Sequence, residues 1–327
     1  MLHDTLRRPL TSLRLSLTDR CNLRCRYCMP EEEYVWLPRA SILSFEEIQR
    51  LVGIFAGLGV NKVRLTGGEP LLRHDVPALV ALLARETRLA DLALTTNGML
   101  LAGAAADLRA AGLHRVTVSL DTLKADRFEA YTRSTRHGDV LAGIAAARAA
   151  GFQRLKINTV VVRGYNEEDV VDLARLTIDH PWQVRFIEMM PFAGVTEFQQ
   201  GEMVTAAETQ RRIEQALGSL LPANGGELDG EAQVFHIPGA QGDIGFISSI
   251  TAPFCASCTR ARLTSDGLLR TCLLREHEMN LLAPLRAGAT LEELRQMVLD
   301  AIWNKPWGHG LAEGEIPLNR VMSEIGG

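Results

Sequence analysis

The sequence predicts an α/β protein: an incomplete (β/α)6 barrel of the TIM-like kind over residues 1–190, then a smaller α+β module over residues 191–327. Three observations carry that prediction. Up to Met190, six short β-branched runs alternate with longer helical patterns, the signature of repeated βα units around a parallel sheet. After Met190 this rhythm stops. The six cysteines fall into two triplets, Cys21/Cys25/Cys28 and Cys255/Cys258/Cys272, one in each segment with none left over.

The candidate strands are "LRLSLT", "NKVRLT", "LALTTN", "RVTVSL", "LKINTVVV" and "QVRFIEMM". Between them lie amphipathic helices. Ser44 with Glu47 three residues later is a capping-box pattern, followed by apolar Ile48, Leu51, Val52 and Phe55. Another helix is expected from about Asn166 through "EEDVVDLARL". Six units make an incomplete barrel rather than the closed eightfold form, and in either form the loops leaving the C-terminal strand ends build the site. The first cysteine triplet, "TGGEP" (Thr66 to Pro70), "TTNG" (Thr95 to Gly98) and "SLD" (Ser119 to Asp121) all leave such ends. Past Met190 come a helix in "TAAETQRRIEQALG", a Gly-rich stretch "ANGGELDG", and strands around "GDIGFISSI" and "RARLTSDGLLRTCLL". The "SDG" between the last two strands is a hairpin signal. A helix from Thr290 and an extended tail ending "SEIGG" complete the chain.

Hydrophobic residues make up 46% and charged residues 23% of the chain, which fits a globular protein with a real core and not a disordered or fibrous one. No stretch approaches the roughly 20 apolar residues of a membrane span. "MLHDTLRRPL" has no apolar core of the kind a secretory signal needs, so the chain is expected to be cytoplasmic. In that reducing compartment six cysteines do not make a disulfide framework. The formal charge of −4 argues against a general nucleic-acid binder. A small anionic substrate needs only a local cluster of Arg and Lys.

The spacing C-x3-C-x2-C brings three thiolates onto one loop, and thiolates select zinc, copper(I) or iron–sulfur clusters. A structural zinc site would normally add a fourth Cys or His. His3 and His74, the nearest in sequence, lack a finger-like spacing. A four-iron cluster on three cysteines leaves one iron open to a non-protein ligand; a zinc site finished by a distant histidine is the alternative. The second triplet, C-x2-C-x13-C, has His277 five residues past Cys272, which would complete a Cys3His zinc site. Its other reading is a second four-iron cluster whose open iron faces substrate. Arg260 and Arg262 alternate on a predicted strand and so share a face. They either hold phosphate oxygens through bidentate bonds or are solvated surface arginines.

"CNLRCRYC" resembles the signature loop of radical S-adenosylmethionine enzymes. With "CTRARLTSDG", "FIEMMP" and a terminal Gly-Gly, essentially the whole chain is similar to the GTP 3′,8-cyclase family that begins molybdenum-cofactor biosynthesis. The resemblance implies two [4Fe-4S] clusters, each on three cysteines, and S-adenosylmethionine cleaved to a 5′-deoxyadenosyl radical. That radical takes the C3′ hydrogen of GTP, and C3′ then bonds C8 to give 3′,8-cyclo-7,8-dihydro-GTP. It further implies that Tyr27 contacts the adenine, that Gly67, Gly68 and Glu69 receive the methionine amino group, and that Ser119 and Met190 line the same cofactor. GTP contacts fall on Arg14, Arg64, Thr95, Lys156 and the segment Arg260, Ala261, Arg262, with Arg185 as an addition. The tail Gly326–Gly327 is expected to reach the site and assist catalysis alongside Arg14. Expected partners are a reductant protein, a cyclic pyranopterin monophosphate synthase acting downstream, and a second copy in a homodimer. The competing readings are a peptide-modifying radical enzyme with an auxiliary cluster, and a non-enzymatic zinc protein.

Overall fold

In a computed structural model, residues 2–29, 33–192, 203–311 and 314–326 are described. The six β-branched runs form β1 (Ser12–Ser16), β2 (Lys62–Thr66), β3 (Asp91–Thr96), β4 (Arg115–Ser119), β5 (Lys156–Val161) and β6 (Gln183–Glu188). Each pairs in parallel with the next. The crossovers carry α1 (Phe45–Gly57), α2 (Val76–Ala84), α3 (Leu101–Ala110), α4 (Ala125–Thr132), α5 (His137–Ala149) and α6 (Val170–Asp179). Side chains along a strand alternate between faces. Thus Leu13 and Leu15 of β1 are buried against the helical layer, as are Val63 and Leu65 of β2 and Val116 and Val118 of β4.

Residues past 190 supply β7 (Leu221–Pro222), β8 (Leu228–Asp229), β9 (Ala232–His236), β10 (Asp243–Ile247), β11 (Arg260–Leu263), β12 (Leu268–Arg270) and β13 (Glu278–Asn280). β10 adds in parallel to β6 and β11 adds in parallel to β1, so the two ends of the chain share one sheet. Its order is β13-β12-β11-β1-β2-β3-β4-β5-β6-β10-β9-β7, with β8 on β9. Antiparallel β9 and β12 take the outer sides of β10 and β11, so the parallel strands curl without closing: an incomplete barrel. Among the described residues no helix is long and apolar enough to cross a membrane.

Local signals explain the helix starts. Ser44 accepts from the Glu47 amide at 3.1 Å while the Ser44 amide donates to the Glu47 carboxylate at 2.7 Å, satisfying two otherwise orphaned donors. Thr205 with Glu208 and Thr290 with Glu293 repeat the device for helices Ala206–Leu217 and Leu291–Trp303. The "SDG" hairpin joins β11 to β12, with Gly267 at φ +74°. Two expectations need correction. The tail is not extended, because Met322–Ile325 forms a short helix.

Nor does α6 begin near Asn166; it begins at Val170. Asn166 is spent elsewhere. Buried to 1% exposure, its Oδ1 accepts from the Val162 amide at 2.8 Å, and its Nδ2 donates to the carbonyls of Asp121 and Val160, both at 2.9 Å. One amide thus ties the loop after β4 to the end of β5. Asn166→Ala leaves those backbone groups without their partner and is expected to cost about 2–4 kcal/mol in urea unfolding; a loss below about 1 kcal/mol would show that the clamp is dispensable.

Candidate active site

The pairing register places the two cysteine triplets at opposite mouths of the barrel. Cys21, Cys25 and Cys28 follow β1 at its C-terminal end. Ser12 at the start of β1 pairs with Arg260 at the start of β11. Cys255 and Cys258, which precede β11, and Cys272, which follows antiparallel β12, therefore gather at the N-terminal mouth. One cavity connects the mouths, and all six cysteines line it.

At the first mouth the cysteine loop is fastened on two sides. Arg24 and Arg26 donate backbone bonds to the carbonyls of Thr132 and Tyr131 at the end of α4, at 3.0 and 3.2 Å. On the other side the Gly68 amide reaches the Thr18 carbonyl at 2.8 Å and the Glu69 amide reaches the Arg20 carbonyl at 2.7 Å. A Cβ on Gly67, at φ +148°, would come within 2.6 Å of the Thr18 oxygen, and one on Gly68 would collide with the Arg20 carbonyl. The two glycines are what let these loops touch.

Burial pushes the Cys21 thiol up to about 11. Cys25 and Cys28 go higher, through burial and then the other thiols and Asp121. Such thiols ionise only with a concentrated positive charge among them, which suits an iron–sulfur cluster. Among the described residues no three His, Cys, Asp or Glu converge on a single-ion site; a cubane, wider than an ion, asks for three thiols around a cavity wall.

Tyr27, Gly67, Gly68, Ser119 and Met190 line the cavity on this side. Tyr27 packs 5.4 Å from the Tyr131 ring and hydrogen-bonds Asp121, whose carboxyl burial raises to about 7. Glu69 is placed differently. It is wholly buried behind the wall, its carboxylate accepting from the amides of Leu71 (3.0 Å) and Asn97 (2.7 Å) and the hydroxyl of Thr96 (2.8 Å). Burial outweighs those bonds and raises it to about 7.

At the second mouth Arg8 pairs with Asp4 at 2.6 Å and donates to the carbonyls of Cys255, Pro306 and Trp307 at 2.9, 2.6 and 2.8 Å. The N-terminal arm is thereby pinned to both loops that border the cysteines. Burial opposes ionisation of Cys258, but Lys305 and Arg260 outweigh it and bring the thiol down to about 7. His277, the residue that would complete a Cys3His zinc site, is exposed and off the cavity wall. His309 is on the wall, with both ring nitrogens unpartnered.

Between the mouths the inward positions are basic. Arg14, Arg64, Lys156, Arg185, Arg260 and Arg262 alternate with the apolar residues that face the helices, and each is mostly or wholly shielded from water. Arg64 donates to the hydroxyls of Thr95 (3.2 Å) and Thr117 (2.9 Å), and burial, then Arg14, lowers it to about 10. Ala261 lines the cavity between its two arginines. The tail arrives here too: Arg262 donates to the Gly326 carbonyl, and a Cβ on Gly326, at φ +75°, would strike the hydroxyls of Thr66 and Ser16. Gly327 lies outside the described residues.

Two carboxylates from the β8–β9 hairpin complete the cluster, and no motif marks them. Glu231 meets Arg14 at 2.7 Å and Arg260 at 3.3 Å, while Asp229 meets Lys156 and Arg185, each at 2.7 Å. Burial would raise Glu231, but Arg260, Arg14, Arg185 and Arg64 together hold it well below the usual carboxylate range. Asn158, also unforeseen, faces the cavity with Oδ1 unpartnered. Its place two residues past Lys156 on β5 was the available signal.

A parallel partial barrel with a three-cysteine loop after its first strand is the radical S-adenosylmethionine fold. The Radical SAM superfamily model matches residues 15–177 and the Molybdenum Cofactor Synthesis C model residues 182–311. The Streptococcus suis SuiB structure bound to S-adenosylmethionine has the same fold, with a TM-score of 0.62 at 16% identity over 93% of this chain and 68% of that one. Methylornithine synthase superposes with a TM-score of 0.51 at 18% identity over 66% of this chain and 65% of that one. The GTP 3′,8-cyclase of Pelotomaculum thermopropionicum is 46% identical over 100% of both chains. GTP 3′,8-cyclase 1 of Mycobacterium tuberculosis is 46% identical over 98% of this chain and 92% of its own. The chain belongs to the GTP 3′,8-cyclase family.

Lys156 offers a direct reading of the interior charge. Burial is the main cause that lowers it from 10.5 to about 8, with Arg185 adding and Asp229 opposing. Between those values the unfolded chain holds the proton that the folded chain has lost, so this group adds stability as pH rises through the window and none as pH falls below about 8. Asp229→Asn removes the opposing charge. The Lys156 titration, followed by NMR of the dimethylated amine, is expected to move below its native value; an upward or absent shift would refute this account.

Proposed function

We propose that the chain cyclises GTP between C3′ and C8, as the first step of molybdenum-cofactor biosynthesis, within the cavity between the two triplets. The observation that carries this reading is the interior charge. In and directly behind the cavity wall six cations face two carboxylates, with Arg14, Arg260, Arg262 and Glu231 on the wall itself, an excess of four positive charges that matches a nucleoside triphosphate. Uncompensated buried guanidinium is costly, so the site is built to be completed by a polyanion.

Cys21, Cys25 and Cys28 would hold the first [4Fe-4S] cluster, and Cys255, Cys258 and Cys272 would hold a second at the mouth where guanine would bind. When bound, the first cluster with S-adenosylmethionine supplies the 5′-deoxyadenosyl radical. Tyr27 is suited to stack on adenine, with Ser119 and Met190 flanking it. Glu69, its carboxylate already taken, would meet the methionine amino group through its backbone together with Gly67 and Gly68. Arg14, Arg64, Lys156 and the Arg260–Arg262 segment would hold the triphosphate, and Thr95 orients Arg64. Backbone and strand positions fix these groups more rigidly than loops would. The tail closes the cavity on Arg262 beside Thr66. A reductant protein would deliver the electrons, and a cyclic pyranopterin monophosphate synthase would take the product.

The reading is tested on protein purified without oxygen and incubated with reductant and S-adenosylmethionine. About eight irons per chain, with 5′-deoxyadenosine formed only when GTP is present, is the expected result. Zinc in place of iron and no deoxyadenosine would end it. The hairpin supplies a second check, because triphosphate and Glu231 compete for Arg14 and Arg260. Glu231→Gln is expected to lower the GTP dissociation constant about tenfold, and an unchanged or weaker constant would place the phosphates elsewhere.

A further inference from the structure

Lys305 follows the helix Leu291–Trp303 and is buried to 6% exposure at the second mouth. An ammonium has three donors and no acceptor. Here the Nζ lies 2.6 Å from the Arg260 carbonyl, 3.2 Å from the Cys258 carbonyl and 3.4 Å from the Cys258 Sγ. Two carbonyls take two of the donors, and the third is left pointing at sulfur.

The lysine cannot easily drift from this position. Its own amide donates to the Ile302 carbonyl at 3.0 Å, and Arg8 holds the following Pro306 carbonyl at 2.6 Å and the Cys255 carbonyl at 2.9 Å. Arg8 is in turn paired with Asp4 at 2.6 Å. A chain of buried polar contacts therefore runs from the N-terminal arm to the ammonium, and from the ammonium to one thiol of the triplet. The triplet at the first mouth is furnished otherwise. Cys21 accepts from the Leu23 amide at 3.4 Å and from the Asn97 side chain at 3.8 Å, both neutral donors.

We propose that Lys305 is a positioning residue for electron transfer: it raises the reduction potential of the cluster held by Cys255, Cys258 and Cys272. The proposal rests on the reading that this triplet holds a four-iron cluster. Reduction adds one negative charge to a cluster. A fixed cation and an N–H···S bond at a ligand sulfur stabilise the reduced form more than the oxidised form, and so raise the potential. Among the described residues no carboxylate bonds this ammonium, so its field at the sulfur is less cancelled than that of Arg260, which also reaches Cys258 but is paired with Glu231.

The test is an anaerobic redox titration of the iron-loaded full-length protein, followed by electron paramagnetic resonance, on the native chain, Lys305→Met and Lys305→Arg. Expected is a more negative midpoint for the second cluster in Lys305→Met, a smaller shift in Lys305→Arg, no movement of the first cluster's midpoint, and equal iron content throughout. An unmoved second midpoint in Lys305→Met at full iron content overturns the proposal. Loss of about half the iron in that variant also overturns it, since Lys305 would then hold the loop together instead of tuning it. Native protein with only about four irons would instead remove the second-cluster reading itself.

Discussion

The structure turns on the burial of six basic side chains inside a barrel. Barrel interiors of this class are usually filled by layers of branched apolar residues. Here Arg14, Arg64, Lys156, Arg185, Arg260 and Arg262 take those positions, and burial disfavours the charge of Arg14, Arg64, Lys156 and Arg262. Leaving any one of them desolvated and unpaired costs several kcal/mol, so the surrounding architecture is arranged to answer them. Thr95 and Thr117 take one guanidinium, the Gly326 carbonyl takes another, and the β8–β9 hairpin brings two carboxylates.

That arrangement explains why the last third of the chain is stitched into the first. β10 and β11 extend the parallel sheet at its two edges, so Arg260 and Arg262 come alongside Arg14 in register. The tail then links the ends of the cavity. The Ser323 amide donates toward Cys28 at the first mouth, while Gly326 receives Arg262 from deeper inside. A short helix at Met322–Ile325 makes that span possible, because it turns the chain inward before the glycine.

Much of this was legible in the sequence, and for identifiable reasons. β-Branched runs marked the six strands, a capping box marked the helix start at Ser44, and close cysteine spacing marked the two candidate clusters. What stayed hidden depends on contacts far apart in the chain. The sequence reads as helical from about Asn166, yet that side chain is spent on Asp121, Val160 and Val162. Asp229 lies at the end of a Gly-rich stretch and Glu231 just past it, where no motif marks a carboxylate; Gly230 between them, at φ +70°, makes the turn from β8 to β9. Lys305, lacking any motif, is recognisable only from its three acceptors.

The hairpin and the tail answer the same charge by different means, and this bears on how the cavity opens. Carboxylates at Asp229 and Glu231 neutralise part of the cluster and, on the proposed function, would yield those partners to the triphosphate. The Gly326 carbonyl contributes only a dipole and takes one of the guanidinium's five donors, so Arg262 would keep it while meeting the phosphate of the proposed substrate. The hairpin is also the less firmly built of the two: β8 is two residues long and pairs only with β9 in the sheet. The tail has no room for a side chain at Gly326, where Thr66 and Ser16 close over it. On the proposed function, displacement by the triphosphate would therefore fall on the hairpin, and the tail would be the wall against which it is held.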